Sequence, residues 1–234
     1  EFDGTSAQTV DQEGTTDNTD FEFLKASNAA GVTFLDNSLG DFEVDEGLTV
    51  VSGTASFQDA VAHVSGTLGI GSGATATFSG ATDNDGALTF DVDAGADNGT
   101  LVLAGTVTDD ASDLGTSFTT GSGTVVYQMA GPATIFSATY FNLTIDNPSG
   151  VLTQQASPLD INGALLINDA SASFTAAAAM AIAGGFTNNG TFTHGSQTVT
   201  FDGAADQTVT GATTFNTLVV ANTAGKVTLS SNTV

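Results

Sequence analysis

One spacing occurs three times in this chain. An aromatic residue is followed by Leu three positions later, Asn four after that and Gly three further on: Phe21, Leu24, Asn28, Gly31; Tyr140, Leu143, Asn147, Gly150; and Phe215, Leu218, Asn222, Gly225. Other segments repeat around this element. Gly121-Ser-Gly-Thr-Val-Val-Tyr127 matches Gly195-Ser-Gln-Thr-Val-Thr-Phe201, and Phe2-Asp3-Gly4 with Gln8-Thr9-Val10 matches Phe201-Asp202-Gly203 with Gln207-Thr208-Val209. Gly47 to Phe57 likewise matches Ala164 to Phe174. A chain that repeats itself at this level is an array of one small unit, because a single unit cannot bury its apolar face without a neighbour.

The copies divide the chain into a first unit at 1–57, an expanded acidic and Gly-rich stretch at 58–120, a second unit at 121–194 and a third at 195–234. The first unit lacks its Gly-Ser-x-Thr-Val lead-in and the third stops before its Gly-x-Leu strand, so the natural polypeptide is expected to continue in at least one direction. Glu1-Phe2-Asp3-Gly4 has neither the basic nor the apolar stretch of a signal peptide, which fits a segment excised from a longer protein.

Within each unit Val, Leu, Ile and Phe alternate with Thr, Ser, Asn and Asp at the period of a β-strand. Leu48–Val51, Thr75–Phe78, Leu88–Val92, Leu101–Leu103, Val125–Tyr127, Leu143–Ile145, Leu165–Ile167, Thr198–Phe201, Leu218–Val220 and Val227–Leu229 read as strands. Turn chemistry such as Asn84-Asp85-Gly86, Asn162-Gly163 and Asn189-Gly190 separates them. The small-residue run Ala172–Ala183 is expected to be a tightly packed coil, with a short helical cap as its alternative. The expected fold is all-β: a β-solenoid (β-helix) whose coils of roughly 20–25 residues stack at about 4.8 Å, the strand spacing. Tandem β-sandwich modules of immunoglobulin-like type are the alternative.

Composition closes off several functions. With 2 Lys, no Arg and 26 acidic residues, the formal net charge is −24, which leaves no basic surface for nucleic acid or for polybasic membrane attachment. No apolar stretch approaches the roughly 20 residues of a membrane-spanning helix, so no membrane insertion is expected. The absence of Cys removes disulfides, zinc-thiolate sites and thiol catalysis. The acids are 21 Asp and 5 Glu, a turn-rich distribution, and 38 Thr supply strand propensity on outer faces.

Thr198-Val-Thr-Phe-Asp-Gly203, Gln207-Thr-Val209, Thr213-Thr-Phe-Asn-Thr-Leu218 and Asn222-Thr-Ala-Gly-Lys-Val-Thr-Leu229 resemble the β-strand repeats of very large secreted bacterial surface proteins of adhesin type. The resemblance covers about two thirds of the chain, with 58–118 a looser match. It implies an extracellular stalk or filament and carries no catalytic residue.

Calcium is the one ligand the residues suggest. Asp83, Asp85, Asp91, Asp93 and Asp97 bring hard oxygens close in sequence, and Ca²⁺ takes 6–8 of them. The spacing is not that of an EF-hand, and solvated acidic turns account for the same residues. Asp109, Asp110 and Asp113 form a second, weaker cluster. His63 and His194 stand alone, and no triad or phosphate-binding loop can be assembled. Lys25 and Lys226 admit an intramolecular isopeptide crosslink to Asn, although their positions in the repeat differ. No cofactor beyond calcium is expected.

The resulting expectation is a non-catalytic structural segment of an extracellular bacterial surface fibre, self-associating end to end or continuing in a longer chain. An adhesin that contacts glycans or a neighbouring surface through 58–118 is the alternative. A polysaccharide-cleaving β-helix enzyme ranks below both, and regular Thr-x-Thr ladders for ice binding are not visible at a constant short period.

Overall fold

A computed structural model describes residues 1–12, 19–36, 42–58, 61–64, 67–79, 81–84, 99–105, 107–109, 122–136 and 138–230. The described residues form strands and turns with no helix. They fall into two compact units, Glu1–Gly123 and Thr124–Val234. The expected strand at Leu88–Val92 lies outside the described residues.

The second unit is a three-sheet solenoid. Its first sheet runs Thr124–Tyr127, Asn142–Ile145, Leu165–Ile167, Phe186–Asn188, Gln207–Thr210, Val227–Ser230. The second runs Ala133–Ile135, Leu152–Gln154, Ser173–Thr175, Thr191–Thr193, and the third Thr139–Tyr140, Leu159–Ile161, Met180–Ile182, Thr198–Phe201, Thr217–Val220. As far as Gln207–Thr210 the chain visits the sheets in rotation, and every pairing within them is parallel. Val125 pairs Leu143, Leu143 pairs Leu165, Leu165 pairs Phe186, Phe186 pairs Val209 and Val209 pairs Leu229, so one coil takes roughly 20 residues.

The short strands follow from this rotation. Each contributes one or two inward positions before a corner, and a period of two sends alternate residues out. Val125, Leu143, Leu165, Phe186 and Val209 are at most 1% exposed and form one inward ladder. Tyr140, Ile161, Ile182 and Phe201 form another from the third sheet, each fully buried. Outward positions carry Thr, most completely on the second sheet, where Thr134, Thr153, Thr175 and Thr193 are successive partners. The run Ala172–Ala183 supplies strands Ser173–Thr175 and Met180–Ile182, with Ala172 and Ala176 buried on either side of the first.

The first unit winds through two sheets. Gln8–Gln12, Val32–Asp36, Thr54–Phe57, Thr75–Phe78 and Thr100–Leu103 make one, parallel and in that order. Thr19–Ala26 and Phe42–Val50 begin the other, continued by Val61–Val64, Ala81–Asn84 and Val107–Asp109, while Thr67–Ile70 also pairs Phe42–Val50. Phe34, Phe57 and Phe78 sit in successive coils as a stack of parallel rings, with centroids 4.8 and 4.7 Å apart. That spacing matches the distance between hydrogen-bonded strands, so the ring stack and the backbone ladder share one repeat.

Each unit is therefore a parallel β-solenoid. Immunoglobulin-like sandwiches need antiparallel sheets packed face to face, which these parallel ladders do not provide.

Candidate functional site

The repeated sequence elements meet in a polar clasp that occurs, among the described residues, once in each unit. In the second unit Gln207, 1% exposed, accepts through Oε1 from Gly203 N at 3.1 Å and from Asn222 Nδ2 at 2.9 Å. Its Nε2 donates back to the carbonyls of Ile182 and Gly184, each at 2.8 Å. Asn222 Nδ2 also donates to Ala205 O at 2.7 Å, while its Oδ1 accepts from Ala224 N and Gly225 N. In the first unit Gln8 Oε1 accepts from Gly4 N at 3.2 Å and Asn28 Nδ2 at 2.9 Å, and Asn28 also donates to Ser6 O and accepts from Ala30 N. One side-chain pair thus satisfies the turn on two successive coils, where a buried amide left unpaired would cost stability.

The middle copy of the motif is wired differently. Asn147 donates to Ser149 O and Gly150 O within its own turn, and its Oδ1 accepts from Ser173 N one coil further on. Gly31 and Gly150 both adopt the left-handed region, at φ 95° and 78°. At Gly150 an added Cβ would also meet the Gly131 backbone. Within the second unit, Leu143 belongs to the first sheet and Leu218 to the third. Leu143 and Tyr140 are fully buried, whereas Leu218 and Phe215 are half-buried near the last coil. In the first unit Leu24 is 3% exposed and Phe21 half-buried on Thr19–Ala26.

That last coil is the most apolar exposed region of the second unit. Val220 pairs Phe201 and Leu229 pairs Val209, so both occupy inward ladder positions, yet Val220 is 58% and Leu229 38% exposed. The strands Thr217–Val220 and Val227–Ser230 are sheet edges. In the first unit Gln8–Gln12 is likewise an edge, and Phe2 bridges Ala26 on the adjoining sheet.

Of the expected calcium residues, Asp83 lies on strand Ala81–Asn84, and Asp85, Asp91, Asp93 and Asp97 lie outside the described residues. In the second cluster Asp109 ends strand Val107–Asp109, and Asp110 and Asp113 lie outside. Among the described residues no group of three metal-ligating side chains comes together. His63 is on strand Val61–Val64, and His194 accepts from Ser196 N through Nδ1 at 3.0 Å in a tight turn. Lys25 Nζ lies 2.8 Å from Glu1 Oε1, which holds the Glu1 carboxyl below its ordinary range, and Lys226 Nζ lies 4.0 Å from Asp206. Both lysines face carboxylates.

Two further features were not singled out by sequence. Tyr127 and Tyr140, both fully buried, share a hydroxyl hydrogen bond of 2.8 Å, and Tyr140 donates to Phe136 O at 2.9 Å. Burial pushes the Tyr127 phenol up to about 12 and the Tyr140 phenol well above its usual range. On the third sheet, partial burial and then the charge of Asp202 raise the Asp160 carboxyl. Among the described residues neither pair belongs to a group of three metal-ligating side chains.

No protein-family model matches the chain, and no curated protein or solved structure matches it either.

Proposed function

We propose that this chain is a non-catalytic structural segment of an extracellular bacterial surface fibre. The observation that supports the reading is the parallel solenoid itself, in which the in-register apolar ladder Val125, Leu143, Leu165, Phe186, Val209 runs from coil to coil. A solenoid of this kind gains length by adding coils, and each added coil contributes backbone hydrogen bonds and apolar burial to its neighbour alone. Acidic turns and outward Thr give it a solvated exterior. The secreted, adhesin-like setting comes from the resemblance of residues 198–229 to bacterial surface repeats.

The test is immunogold electron microscopy of the producing cells with antibodies raised against the folded chain. Labelled projections on the cell surface are expected, and label confined to the cell interior contradicts the reading. The adhesin alternative predicts saturable binding of the purified chain to glycans or cells, with the site mapping to residues 58–118.

A further inference from the structure

We propose that the corner at 155–158 encloses a structural water molecule, held by Gln154 Oε1 and by the backbone of the turn at 177–179 in the following coil. The site goes beyond the fibre reading and does not depend on it.

This corner is longer than those of both coils that flank it. Asp160 lies eight residues after Leu152, whereas their partners Thr139 and Ala133 in the preceding coil are six apart and Ala181 and Phe174 in the following coil seven. The extra residues stand off the shorter corners on either side, and the inward ladder supplies little to fill the space. Gln154 lies between Ile135, its partner, and Ala176, which continues the register of Thr153 with Thr175 and is 1% exposed. A methyl group at that position leaves room beside the amide that a larger inward side chain would occupy.

Gln154 is itself 1% exposed, and its amide can take only one orientation. Nε2 donates to Ser157 O at 2.8 Å and to Ala179 O at 3.4 Å. Exchanging the two amide atoms would set oxygen against oxygen at these distances with no proton between them. Oε1 is therefore fixed as an acceptor, and it is the one buried side-chain polar atom among the described residues without a hydrogen-bond partner. An unpaired buried acceptor is costly, and protein interiors meet such atoms with chain donors or ordered water.

The neighbouring turn completes the site. It lies against the amide through Ala179 O, and the N–H groups of Ala177 and Ala178 donate to no acceptor among the described residues. A water molecule donates to Oε1 and accepts from this turn, within the range of about two to four partners that buried waters have. A hard cation is a poor fit, because it takes about six to eight oxygens and the nearby Ser157 and Ala179 carbonyls already receive the Nε2 protons. The water joins two successive coils at the place where their corner lengths differ.

The test is a crystal structure of the whole chain at a resolution that shows ordered water, with water-to-amide cross-relaxation measured by NMR on the isotope-labelled chain. A single peak is expected about 2.7–3.2 Å from Gln154 Oε1, at hydrogen-bonding distance. In solution, water cross-peaks to the Gln154 side-chain amide are expected to carry the sign of a long-held molecule. In Gln154→Met, which keeps the volume and removes the amide, the peak is expected to disappear; should that variant not fold, the two measurements on the parent chain decide alone. An Oε1 with no peak beside it, an Oε1 bonded to a donor of the chain, a peak ringed by several oxygens in the manner of a cation, or cross-peaks of a freely exchanging water would overturn the proposal.

Discussion

Asn222 donates through Nδ2 to Gln207 Oε1 at 2.9 Å, and Asn28 makes the same bond to Gln8 at the same distance. Each bond joins two elements that recur separately in sequence, the Phe-Asp-Gly…Gln-Thr-Val segment and the Asn-x-x-Gly turn. The repetition is thus a hydrogen-bonding unit as well as a packing one. Because Gln207 also reaches the coil before it, it ties three coils together.

Replacing Gln207 with Leu should strip a partner from Gly203 N and Asn222 Nδ2 while removing two donations to carbonyls. The expected loss is about 1–3 kcal/mol, the usual cost of orphaning buried polar groups. Urea unfolding reads it as a lower midpoint with an unchanged slope.

Phe57 lies between Phe34 and Phe78 in the ring stack and is 1% exposed. Phe57→Ala should cost about 3–5 kcal/mol through lost burial and the cavity left behind. Phe23 is 68% exposed, and Phe23→Ala is expected to shift stability by less than about 0.5 kcal/mol. Equal melting shifts for the two variants would contradict the placement of the core.

The chain's 2 Tyr are the buried pair, so phenolate absorbance reports on this site alone. Tyr127 has its pKa raised from 10.0 to about 12 in the folded chain. Its contribution to stability is then fully present below about pH 10, the unfolded value, and is lost as pH rises through the folded value. An alkaline titration should show phenolate appearing together with loss of β circular dichroism, and denatured chain should ionise earlier. Phenolate formation near pH 10 in folded protein would place the rings at the surface.

Asp160 is raised by partial burial and by Asp202, so its ionised form is the disfavoured one. A raised folded pKa means that this group contributes stability below its unfolded value and loses it as pH rises through the folded one. Asp160→Asn should therefore raise the melting temperature at neutral pH, with the gain shrinking as pH falls toward the carboxylate range. A melting temperature that falls at neutral pH would contradict that assignment.

The parallel solenoid was legible because its requirements are local: short alternating strands, Gly and Asn at corners, and apolar residues at every second position. The tripled motif was legible as a repeat, but its spatial meaning was not. Leu143 and Leu218 hold the same motif position on different sheets, because the number of residues spent at the corners varies between coils. Gln154 shows the same limit: its 1% exposure depends on which neighbouring coil covers it, and strand alternation alone does not specify that. The Gln–Asn clasp had a signal in the common spacing of Gly4 to Gln8 and Gly203 to Gln207, but its partner lies on the next coil. The Tyr pair had none, since Tyr127 and Tyr140 meet only after the chain turns through Ala133–Ile135.

The coil register is the central claim, and spin-label distances test it most directly. Val126, Thr144, Leu166, Thr187 and Thr210 are successive outward partners along the first sheet of the second unit. Labels at Val126→Cys paired in turn with Leu166→Cys, Thr187→Cys and Thr210→Cys should give separations that grow by about 4.8 Å per coil, to about 19 Å at the longest. Separations that do not increase in even steps along this series would contradict the solenoid.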